Sequence, residues 1–106
     1  MSVEQTDKID FISITPNQKV QLTISDHLEW DENGDHILIL QKKLNAYLDF
    51  IESGQIPKNY SSAREKGIII SISIKFFPNE FALNFLKEAE KIISSAGYEF
   101  SWEYHP

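Results

Sequence analysis

Within the ten residues from Asp26 to Asp35 the chain gathers Asp26, His27, Glu29, Trp30, Asp31, Glu32 and Asp35, with His36 next. Carboxylates and imidazoles hold divalent metals and move protons, so metal binding and acid–base catalysis are the chemistries to weigh. The spacing serves neither well. In the run DENGD, Gly34 stands fourth from Asp31, whereas a helix-loop-helix calcium loop needs its glycine sixth and a Glu twelfth. No metal and no cofactor is expected. His27 has the neighbours of an oriented base in Asp26 and Glu29. A base also needs a nucleophile and an electrophile stabiliser, and no serine stands in a nucleophile-elbow sequence. An Asp at a strand end more often caps a turn through its side chain. Trp30 has two readings. An exposed indole in an acidic loop is the kind of anchor that dominates interface energies. An indole folded back over the start of the next helix acts instead as a staple, and large apolar side chains are usually at least partly buried.

The 106 residues carry a formal net charge of −6. Acids and bases cancel in residues 54–106, so the entire excess lies in residues 1–53, and no base interrupts the acids between Asp26 and Asp35. Such a patch repels a phosphate backbone, which argues against nucleic acid, and attracts a basic protein surface. With no cysteine, disulfide scaffolds, thiol enzymes and zinc fingers are excluded. The chain is too short for a TIM barrel or a full dinucleotide-binding domain. Residues 1–7 are polar, without a basic region or an apolar run, and predict a disordered tail rather than a secretory leader. The most apolar run, IIISISIKFF from Ile68 to Phe77, is shorter than the ~20 residues a membrane helix needs and contains Lys75. A cytoplasmic protein without membrane contact is expected.

The elements that must position the acidic stretch follow from periodicity. KIDFISIT, residues 8–15, reads as a strand, Pro16 to Lys19 as a turn, and residues 20–25 as a strand with Val20, Leu22 and Ile24 on one face. A helix is predicted from about Asp35 to Ser53, with a stripe of Ile37, Leu40, Leu44, Tyr47, Leu48 and Ile51; Asp35 caps its start and Gly54 ends it. Gln41 and Asn45 lie beside that stripe and are expected to bond to a neighbouring strand or loop end. Residues 55–66 form a polar connection with one helical turn around Ser62. Residues 68–76 read as the strongest strand, with Ile68, Ile70, Ile72, Ile74 and Phe76 on one face. Pro78-Asn79-Glu80 opens a second helix whose stripe is Ala82, Phe85, Leu86, Ala89, Ile92, Ile93 and Ala96, and Gly97 stops it. Residues 98–104 alternate as a last strand. Strands with one polar face imply helices on one side only. The fold class is therefore α+β, a two-layer α/β sandwich in the order β-β-α-β-α-β, with a four-stranded mixed sheet and both helices on one face. Residues 8–106 form a single domain.

The segment ISDHLEWD, residues 24–31, and LNAYLDFIESG, residues 44–54, resemble a family of short uncharacterised bacterial proteins. The resemblance is carried by Asp26-His27, Trp30-Asp31 and Asn45-Ala46-Tyr47 at fixed spacing, and it weakens after Gly67. It implies a compact bacterial protein and no particular activity.

From the residues themselves, a non-enzymatic protein-binding module is expected, with an immunity-type neutraliser of a basic partner as its most concrete form. Asp26, His27, Glu29, Trp30, Asp31, Glu32 and Asp35 would bind that partner. The alternative is a small metal-dependent or acid–base enzyme using the same loop. The chain itself is expected as a monomer or homodimer.

Overall fold

The computed structural model describes residues 9–54 and 67–106. The expected tail at 1–7 and the helical turn around Ser62 lie outside the described residues. Among the described residues six elements follow in the predicted order: β1 Phe11–Ile14, β2 Val20–Asp26, α1 Asp35–Glu52, β3 Ile68–Ile74, α2 Glu80–Ser95 and β4 Glu99–Tyr104. The first strand is shorter than its sequence pattern because Asp10 leaves the ladder. Its N–H donates to the Tyr47 hydroxyl at 2.9 Å instead of to a strand. The predicted turn closes β1 onto β2, with Gln18 in the left-handed region and the Thr15 carbonyl accepting its N–H. β3 ends two residues earlier than its alternation, where its neighbours β2 and β4 also end.

The sheet order is β1-β2-β3-β4. β1 and β2 are antiparallel, while β2, β3 and β4 run parallel. Two parallel connections that advance in the same direction, each right-handed, must pass over the same face. The core agrees: Val20, Leu22, Ile24, Ile68, Ile70, Ile72, Ile74 and Phe100 share one side of the sheet and form one buried cluster with Leu40, Leu44, Tyr47 and Ile51 of α1 and Leu86, Ala89 and Ile93 of α2. Each such aliphatic side chain contributes roughly 1.5–3 kcal/mol when fully buried. Among the described residues no helix covers the opposite face, which carries Gln21, Thr23, Ser25, Ser71 and Ser73 with Glu99, Ser101 and Glu103.

The helix stripes depart from the apolar pattern in two places. On α1 the buried line includes His36 and Lys43, whereas Ile37 is only half-buried. On α2, Ile92 is 63% exposed, and Ala96, the residue just after the helix, is exposed. Ile92 lines an open groove of about 240 Å³ between the helices, together with Leu44, Leu48 and Phe85. Gln41 and Asn45 also line this groove and are exposed, so they face its mouth rather than a strand end.

Candidate functional site

Because β2, β3 and β4 are parallel, their last residues Asp26, Ile74 and Tyr104 stand side by side. Both helices begin at this same rim, and the acidic stretch crosses it. Ligands of parallel sheets gather at the carboxyl ends of strands.

Asp26 continues the alternation of Val20, Leu22 and Ile24, which turns its carboxylate towards the helices. It is 2% exposed. His36, on the first turn of α1, is 3% exposed and brings Nε2 to 2.6 and 2.8 Å from the two Asp26 carboxylate oxygens. The other ring nitrogen, Nδ1, lies 3.0 Å from the Glu29 carbonyl. A carbonyl only accepts, so Nδ1 must carry a proton and donate. The ring orientation is thereby fixed, and the proton between Nε2 and Asp26 completes the pair. Asp26 Oδ1 also accepts the Leu28 N–H at 3.2 Å, which is the turn-capping role expected of it.

Trp30 lies flat against this imidazole, with ring centroids 3.7 Å apart and planes 13° from parallel. Its Nε1 donates to the Phe76 carbonyl at 2.7 Å, beyond the end of β3. The indole therefore folds back over the helix start. Asp31 completes the fold of the loop: its carboxylate accepts the N–H groups of Asp35 and His36, each at 3.1 Å. The His36 N–H, assisted by that of Asp35, holds the Asp31 carboxyl below the ordinary carboxylate value. The cap predicted at Asp35 thus comes from Asp31. Gly34 occupies the cap position itself, in the left-handed region at φ 81, where glycine is unstrained and has no side chain to offer.

With these groups turned inward, the surface of the loop includes His27, Glu29, Glu32, Asn33 and Asp35, all exposed, and the half-exposed Asp31 and Trp30. Asp26 lies beneath it. The imidazole paired with Asp26 is His36, not the adjacent His27. Among the described residues no group of three or more His, Asp or Glu side chains is arranged to hold a metal ion.

A second buried pair was not read from sequence. Lys43 Nζ lies 2.8 Å from Asp10 Oδ1, both side chains almost wholly buried. The other Asp10 oxygen accepts the Ser25 N–H at 2.9 Å. Tyr47 accepts the Asp10 N–H and donates to the Thr23 carbonyl at 2.8 Å. Burial pushes the Tyr47 hydroxyl well above the usual phenol value, despite the Asp10 N–H that it accepts. The available signal was a histidine and a lysine seven residues apart, both in line with Leu40 and Tyr47 on a helix.

At the β4 side of the rim, Phe77 meets Trp102 and Tyr104 edge-on, with centroids 6.2 and 5.4 Å away. Among the described residues no helix is long and apolar enough to cross a membrane. A family model described as "Family of unknown function (DUF6572)" matches residues 1–106. No curated protein and no solved structure matches the chain.

Proposed function

The chain belongs to this family of unknown function across its whole length, and from its own geometry we propose that it is a non-enzymatic protein-binding module whose acidic loop engages a basic partner. An immunity-type neutraliser of a nuclease-like toxin is the most concrete form of that reading. One observation carries it: Glu29, Glu32 and Asp35 face solvent on a loop tied down from beneath by Asp26–His36, Trp30–Phe76 and the Asp31 cap. A loop already fixed loses little conformational entropy on binding. Clustered carboxylates also speed encounter with a cationic surface.

The same geometry weighs against His36 as the base of an enzyme. A general base needs a nitrogen or oxygen within reach of substrate. Both ring nitrogens of His36 are engaged inside the protein and one ring face is covered by Trp30. The pair therefore supports a structural role. Capture from the native host with the full chain as bait tests the proposal. A stoichiometric basic partner, released by salt, is expected; recovery of acidic partners alone would count against it.

A further inference from the structure

We propose that the aromatic patch of Phe77, Trp102 and Tyr104 is the anchor of that interface, and that it seats an arginine or lysine side chain of the partner. The inference rests on the reading of the acidic loop above and adds the contact that would hold the partner in place. Phe77 is 59% exposed and Tyr104 45%, while Trp102 is half-buried. Phe77 stands at 72° to Trp102 and 87° to Tyr104, an edge-to-face arrangement that fixes the rings and leaves π surface open to solvent. The patch continues the acidic loop, because the Trp30 indole donates to the carbonyl of Phe76, the residue before Phe77.

Charge selects the occupant. Glu80 opens α2 three residues after Phe77, and Glu29, Glu32 and Asp35 lie along the same rim; Glu103, next to Tyr104 in sequence, belongs to the opposite face of the sheet. Among the described residues, basic groups at this end include His27 on the loop, Lys75, exposed with its ammonium 5.8 Å from the Phe76 ring centroid, and His105, 2.9 Å from Glu103. An aromatic ring here therefore already accepts one cation of the chain itself. Side-chain acceptors stand at both helix starts: Asp31 takes the Asp35 and His36 N–H groups at α1, and Asn79 takes the Ala82 N–H at α2, which reduces the pull of these helix ends on an anion. Exposed π faces on a rim whose loop is acidic attract guanidinium and ammonium groups, arginine above all because its plane stacks.

The test titrates the full chain with acetylated, amidated hexa-arginine, hexa-lysine and hexa-glutamate, read by amide NMR shifts. Hexa-arginine is expected to bind tightest and to shift Phe77, Tyr104 and the loop from His27 to Asp35. Phe77→Leu, which keeps apolar volume and removes the π face, and the pair Phe77→Ala/Tyr104→Ala should each weaken binding by about tenfold or more. Tyr104→Phe should bind like the wild type. Unchanged affinity of Phe77→Leu and of the double variant overturns the anchor. In that case the loop reading stands if Glu29→Gln/Glu32→Gln/Asp35→Asn still weakens binding. If that loop variant is also unaffected, or hexa-glutamate binds equally well, both fail.

Discussion

His36, at the start of α1, closes on Asp26, at the end of β2, through contacts of 2.6 and 2.8 Å, and water reaches neither side chain appreciably. Removing one member of a buried pair strands the other's charge, at a cost of about 3–5 kcal/mol. His36→Phe should lower unfolding stability by that order in urea titrations. Asp26→Leu combined with His36→Phe should recover part of the loss, because no charge is then left without a partner. A double variant as unstable as the sum of the single ones would contradict the pairing.

Lys43 and Asp10 make the second tie, between the middle of α1 and the residue before β1. Lys43→Met is expected to destabilise by about 3–5 kcal/mol, whereas the exposed Lys42→Met should stay within about 0.5 kcal/mol of the wild type. Comparing the two midpoints separates a buried pair from general loss of charge.

The Asp31 carboxyl is held below its ordinary value by the His36 and Asp35 N–H groups. Its folded value is thus lower than its unfolded one, near 4. The stabilisation is complete above the unfolded value and disappears as pH falls through the folded one. Asp31→Asn should flatten the loss of stability below about pH 4 relative to the wild type. Parallel acid limbs in denaturation curves would show that the Asp31 carboxylate does not cap α1.

Tyr47 titrates in the opposite sense. Burial raises its hydroxyl, so its contribution is full below the unfolded value near 10 and fades as pH rises through the higher folded one. Phenolate absorbance from this residue should appear only with unfolding. Tyr47→Phe should also cost about 1–3 kcal/mol at neutral pH, because the Asp10 N–H loses its acceptor.

Much of the architecture is legible in alternation. Val20, Leu22 and Ile24, and then Ile68 to Ile74, declare strands with one apolar side, and that alone places both helices on one face. The sheet order is not local information: the parallel pairing of β2 with β3 depends on how residues 27–67 return the chain. In the site, the acidic residues are visible at once, but not which of them face water. Asp26 was readable as buried, since it is the next even-numbered residue after Val20, Leu22 and Ile24. Its partner His36 is ten residues away, and Lys43 is thirty-three residues from Asp10, so periodicity marks the helix side of each pair without naming the carboxylate. The cap shows the same limit. Asp31 and Asp35 are equivalent in composition, and the left-handed Gly34 between them decides which carboxylate turns back to the helix.

Binding of a basic partner through the exposed acids of this fixed loop is open to direct measurement. The most direct measurement is the Kd of the partner captured with the full chain, for the wild type and for Glu29→Gln/Glu32→Gln/Asp35→Asn, at low and physiological ionic strength. A basic partner is expected, with binding weakened about tenfold or more in the neutralised variant and a salt dependence that shrinks with it. Equal affinity of the two proteins at both ionic strengths would contradict it.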